Sequence, residues 1–155
     1  MPTHYDADLR LFINGSWRIG EGRDASGVIN PATGETIAEL PLATAADLDE
    51  ALASADKGFQ TWRAMDVEAR GAILRKAATL LRDRTEAIAT LLTLEQGKPL
   101  AEARGEVSSS AALFDYCAEE AKRAYGRVLI RPTGQRSIVV KQPVGPVASF
   151  TPWNF

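Results

Sequence analysis

One cysteine and one histidine are all that 155 residues provide of the two most versatile catalytic side chains. A single cysteine, Cys117, excludes an internal disulfide framework and fits a reducing compartment. His4 lies near the amino terminus, so no histidine neighbours Cys117 in sequence to activate it as a nucleophile. Charge of one sign is also missing, with 18 basic residues against 20 acidic ones and a net charge of −2. No basic patch and no RNA- or DNA-binding signature is present, which argues against a nucleic-acid partner. No apolar run approaches the length of a membrane span, which argues against a membrane partner. The first ten residues hold Asp6 and Asp8 and no apolar core, so they read as neither a secretory signal nor a mitochondrial presequence. Together these absences give the expectation of a soluble cytoplasmic protein.

What is present is globular: 45% apolar and 25% charged residues, in about one domain's length of chain. Leu11-Phe12-Ile13-Asn14-Gly15-Ser16-Trp17 predicts a hairpin, because Asn-Gly supplies two left-handed residues between short strands. Phe12 and Trp17 are its expected anchors. Gly20, Gly22 and Gly27 read as a loose connection, Asn30 to Glu35 as a turn, and Thr36 to Leu40 as another short strand.

Four helices are expected next. Thr44-x-x-Asp47 is a capping box with a short acid, and Leu48, Leu52, Ala55, Phe59 and Trp62 then fall on one face. A second helix begins at Asp66 with Ile73, Leu74, Ala77, Leu80 and Leu81 on one side and a solvated basic face opposite. A third runs from about Thr85 to Glu95, stopped by Gly97. The fourth spans about Pro99 to Tyr125, ended by Gly126. Its stripe is Leu100, Ala103, Val107, Ala111, Phe114, Cys117, Ala121 and Tyr125, and the small residues on it invite close packing. Cys117 is read as a core residue. Val128 to Pro132 and Arg136 to Pro143 then read as strands around a turn at Thr133-Gly134-Gln135. Lys141 and Pro143 would protect an exposed edge.

The last eleven residues, Gly145 to Phe155, draw the chain together. Val147 to Phe150 is a short apolar run after a Gly-Pro break, the pattern of a buried parallel strand. Pro152 ends the ladder and holds Thr151 extended. Such a strand delivers Thr151, Pro152, Trp153 and Asn154 to the carboxyl edge of a sheet, where open α/β sheets bind ligands.

Thr-Pro-Trp-Asn-Phe at 151–155 resembles the start of the cofactor segment of NAD(P)-dependent aldehyde dehydrogenases. Four further motifs match in family order: the Asn-Gly hairpin, Asn-Pro-Ala-Thr-Gly at 30–34, Glu-Gln-Gly-Lys-Pro at 95–99 and Lys-Gln-Pro-Val-Gly at 141–145. The run Leu94 to Ala103 is most similar to the succinate-semialdehyde dehydrogenase branch. The resemblance implies an α/β fold: the amino-terminal part of the aldehyde dehydrogenase fold, with a β-hairpin arm, a helical layer, a β-strand arm and the first strand of a Rossmann-like cofactor domain. The corresponding divisions are an arm at 1–43, a four-helix part at 44–126, an oligomerisation arm at 127–144 and a cofactor and oxyanion segment at 145–155.

The resemblance also implies roles. Asn154 is the catalytic oxyanion donor, and Thr151, Pro152, Trp153 and Asn154 bind NAD or NADP. A neutral amide suits an oxyanion because it can be held in place before charge develops. The reaction implied is oxidation of a small aldehyde, succinate semialdehyde, to its acid through a thiohemiacetal. The family's glycine motif for pyrophosphate, ribose lysine, general base and nucleophilic cysteine are not matched here, so the sequence reads as an amino-terminal fragment. In the family such chains form homodimers or homotetramers. Glu95 falls where some relatives bind a structural alkali cation with backbone help near Ile29; on residue physics alone it is an exposed acid near a helix end, and no metal site is assigned. Lys98 is not a phosphate-loop lysine, since no Gly-x-x-x-x-Gly precedes it. Three alternatives stay open: another or broad-range aldehyde dehydrogenase, a non-catalytic module that pairs with full-length subunits, and a binding domain unrelated to aldehydes.

Overall fold

A computed structural model describes residues 5, 7–19 and 22–152. Four helices are flanked by three separate two-stranded antiparallel sheets. Strands β1 (Leu11–Ile13) and β2 (Ser16–Arg18) form the expected hairpin, with Asn14 at φ 52° and Gly15 at φ 77° in its two-residue turn. Phe12 pairs with Trp17 across it, their ring centroids 4.8 Å apart. Both rings remain exposed, and Ile13 is the residue that turns inward.

The glycine-bearing stretch read as a loose connection is in part a strand, β3 (Ala25–Ile29), paired with β4 (Thr36–Pro41). Gly27 is tolerated because the space its side chain would fill is taken: a Cβ there would lie 3.3 Å from Thr36 Cγ2. The Asn30–Glu35 turn closes on itself. The Asn30 side-chain oxygen accepts from the Ala32 amide at 2.9 Å, and the Asn30 amide donates to Glu35 O at 2.9 Å.

Helix α1 (Ala45–Ala64) starts on the predicted capping box, with both reciprocal bonds between Thr44 and Asp47 formed. Helix α2 (Val67–Asp83) is capped by Asp66, and α3 (Thr85–Gln96) ends at Gly97 with φ 85°. Helix α4 (Leu100–Glu120) is shorter than expected and passes into a 3₁₀ turn at Ala121–Arg123, so Tyr125 is not helical. Leu92 from α3 and Val107 from α4 form the core with Ala89 and Ala103, and Leu81, Ile88 and Leu100 pack around them. Ala78 on α2 and Ala111 and Ala118 on α4 have no exposed surface. These small residues, with Gly71 buried 3.5 Å from Ala118 O at its Cβ direction, let α2 and α4 approach closely.

Cys117 is exposed, contrary to expectation. It stands six residues beyond Ala111, which rotates it about 120° off the buried face; Ala118, at seven, returns to within about 20°. The α1 stripe also differs from expectation. Leu48 and Leu52 are largely exposed, and the buried residue of that helix is Asp47. An apolar face is buried only where another element covers it, and α1 packs on β1 through its opposite flank, where Ser54 meets Asn14 at 3.4 Å. The basic face of α2 is not idle: Arg75 reaches Glu119 at 3.1 Å and Arg82 reaches Asp115 at 2.5 Å on α4.

Strands β5 (Arg127–Ile130) and β6 (Arg136–Val139) pair around the expected turn, where Gly134 has φ 86°. Beyond Val139, residues 140–152 carry no regular structure, and Val147 and Phe150 are exposed. The parallel strand expected at Val147 to Phe150 is therefore not formed. A parallel strand needs a neighbour for its ladder and cover for both faces, and the three sheets described are all antiparallel. Among the described residues, no helix is long and apolar enough to cross a membrane.

Candidate functional site

Thr151 and Pro152 are exposed and belong to no helix or strand. Trp153 and Asn154, the other two residues expected at the cofactor, lie outside the described residues, as does Phe155. Thr151 and Pro152 do not by themselves enclose a dinucleotide. Cys117 on α4 has no histidine beside it among the described residues, and no nucleophile–base pair forms there.

The structure instead brings together two motifs that lie more than sixty residues apart in sequence. Asn-Pro-Ala-Thr-Gly of the β3–β4 turn meets Glu-Gln-Gly-Lys-Pro of the α3–α4 junction. The contact is at Gly97, where a Cβ would lie 2.9 Å from Pro31 Cγ. Beside it is a cavity of about 760 Å³ lined by Tyr5, Asn30, Thr93, Lys98, Pro99 and Leu100, among others. Thr93 Oγ1 is buried there without a hydrogen-bond partner among the described residues. Lys98 is paired with Glu106 on α4, so its charge is answered within the chain.

Glu95 is half-buried rather than exposed, because Tyr5 covers it and donates its hydroxyl to the carboxylate. Burial, then the adjacent Glu95 carboxylate, pushes the Tyr5 phenol well above its ordinary range. At neutral pH this phenol remains a hydrogen-bond donor.

A second polar cluster was not legible in the sequence beyond its capping box. Asp47 accepts from the Thr44 amide at 2.8 Å and the Thr44 hydroxyl at 2.6 Å. It also accepts from Arg18 at 3.1 Å and, in a two-pronged contact, from Arg23. Arg18 reaches on to Glu50 at 2.6 Å. The Arg23 fork, followed by the Thr44 bonds, holds the Asp47 carboxyl well below the usual carboxylate range. Arg18 and Arg23 lie more than twenty residues before Asp47, a separation from which no spacing rule predicts a contact.

Residues 17–155 match the aldehyde dehydrogenase family. The chain is 51% identical over 146 residues to 4-(hydroxymethyl)benzenesulfonate dehydrogenase TsaD1 of Comamonas testosteroni, covering 94% of this chain and 31% of that protein. It is 41% identical over 147 residues to the NADP-dependent succinate-semialdehyde dehydrogenase GabD of Escherichia coli, covering 94% of this chain and 30% of the relative. In three dimensions it is similar to aldehyde dehydrogenase 21 of Physcomitrella patens, solved in complex with its reaction product succinate. The TM-score is 0.86 at 36% identity, over 95% of this chain and 31% of that one. The chain thus spans about 30% of the length of the relatives it matches.

Proposed function

Because the chain belongs to the aldehyde dehydrogenase family, we propose that it serves the NAD- or NADP-dependent oxidation of succinate semialdehyde to succinate. The observation that carries this reading is the shared fold over 95% of the chain with a protein that held succinate as its product. The likeness of Leu94 to Ala103 to the succinate-semialdehyde branch supports it. Overall the reaction consumes aldehyde, water and oxidised nicotinamide and yields acid, reduced nicotinamide and a proton. When bound, the nicotinamide supplies the hydride acceptor. The Asn154 amide would donate a hydrogen bond to the aldehyde oxygen as negative charge gathers on it, and Thr151, Pro152 and Trp153 would help hold the dinucleotide. No residue of this chain is assigned as the nucleophile or the general base. A cytoplasmic setting fits the sequence.

A second substrate reading has its own support. The relative at 51% identity is named for a benzenesulfonate. An aromatic aldehyde bearing a sulfonate shares with succinate semialdehyde an acid group remote from the reacting carbon. The native gene product, assayed with both aldehydes and each nicotinamide, separates the readings: reduction with succinate semialdehyde supports the first, and preference for a sulfonated benzaldehyde supports the second. Failure to reduce either nicotinamide with any aldehyde overturns both.

The β5–β6 pair supports the further reading of 127–144 as an oligomerisation arm. Val128, Ile130 and Ile138 are exposed on it, and each strand has one paired edge. A homodimer or homotetramer follows. A sedimentation profile showing only monomer at micromolar concentration would oppose it.

A further inference from the structure

The β1–β2 hairpin is held to α1 by charge more than by apolar surface. Phe12, Trp17 and Ile19 stay exposed, and Ile13 alone among the hairpin's large apolar residues is buried. On the other side of the contact, the residue that α1 withdraws from solvent is Asp47. Its carboxylate does two tasks at once. One oxygen receives Arg18 and one prong of Arg23; the other receives the second prong of Arg23 and both donors of Thr44. A carboxylate offers about four lone-pair directions, so the acceptor is saturated.

The two tasks reinforce each other. The cap fixes the Asp47 rotamer that faces the arginines, and the arginines hold the carboxylate over the first turn of α1. Helix α1 packs on β1 and is tied to α2 at its carboxyl end, where Arg70 donates to Met65 O at 2.7 Å, whereas α2 and α3 pack along α4 around the alanine-rich core. We propose that Asp47 is a latch that makes the β1–β2 hairpin and α1 one opening unit, able to detach together while α2, α3 and α4 stay folded. The groups facing the latch are Arg18, Arg23 and Thr44, with Glu50 sharing Arg18.

Amide hydrogen exchange on the native gene product and on its Arg18→Gln variant tests the latch, because Arg18 is the hairpin residue that reaches Asp47 and Glu50. Gln is shorter and neutral, so it removes both charged contacts of Arg18 while Arg23, Thr44 and Asp47 stay intact. The expected result is that amides of 11–18 and 45–64 both exchange about tenfold faster, with 67–120 unchanged, as fits loss of a charge-assisted bond. Faster exchange in 11–18 with α1 unchanged would overturn the proposal, and so would equal acceleration of 67–120. If Arg18→Gln lacks the helical circular dichroism of the parent, Arg18→Lys, which keeps the charge and loses the two-pronged reach, is measured in its place. Joint acceleration of the hairpin and α1 supports the latch; acceleration of one alone, or of neither, overturns it.

Discussion

Replacing Gly97 with alanine tests the junction where the two distant motifs meet. Gly97 sits at φ 85°, the left-handed region, where a side chain costs about 1–2 kcal/mol. Its new Cβ would also lie 2.9 Å from Pro31 Cγ, closer than carbon atoms pack. Pro31 is a ring in a hydrogen-bonded turn, so relief requires the β3–β4 turn or the α3 terminus to move, at about 1–2 kcal/mol by the scale of overpacked sites. Gly97→Ala is therefore expected to lose about 2–4 kcal/mol. Gly34→Ala is the control: its φ is 75°, but nothing lies within 4 Å of the added Cβ, so only the dihedral penalty applies. Pro31→Ala combined with Gly97→Ala should recover the contact part of the loss and leave the dihedral part. Urea unfolding followed by circular dichroism measures all four proteins, provided the transitions are two-state. Equal losses for Gly97→Ala and Gly34→Ala, or no recovery in the double variant, would refute the contact.

Gly126→Ala should disrupt the start of the β5–β6 pair, because the added Cβ would lie 2.3 Å from the Val139 carbonyl oxygen and no rotamer relieves a backbone clash. Loss of cross-strand contacts between 127–130 and 136–139 in NMR spectra checks this, and an unchanged β5–β6 register would count against it. The Asp47 carboxyl is depressed by the Arg23 fork and then by Thr44, so its contribution to stability is fully present above the ordinary aspartate value of about 3.9. It is lost only as pH falls through the lowered folded value. The NMR signal of the Thr44 amide, which donates to Asp47, should therefore keep its shift at about pH 4, where an unshifted aspartate would be half protonated; a midpoint near 4 would contradict the cluster.

Local rules carried much of the fold. Asn14-Gly15, Thr44 with Asp47, Asp66 and Gly97 each act within a few residues, and each formed the turn or cap that its chemistry dictates. Burial was less legible because it depends on what lies opposite. Leu48, Leu52 and Trp62 share a face by periodicity, yet no rule within α1 says whether another element covers that face. Cys117 was misplaced by a rotation along a long helix, where one residue decides which side faces α2. The run at Val147 to Phe150 has strand composition without a ladder partner, and composition supplies only half of a strand. The Arg18–Asp47–Arg23 cluster and the meeting of Pro31 with Gly97 are tertiary, so neither is visible until the arm and the helices are placed. The family resemblance was legible because five short motifs keep their order along the chain. The roles of Asn154 and its neighbours rest on that likeness, since the structure describes only Thr151 and Pro152 of the segment.

The rate of nicotinamide reduction by the native gene product and its Asn154→Ala variant, with saturating succinate semialdehyde, tests the central claim most directly. Removing one oxyanion donor is worth about 100- to 1,000-fold in kcat. The account predicts a loss of that size in kcat, with unchanged circular dichroism showing that the variant is still folded. A variant that keeps the parent's kcat would contradict it.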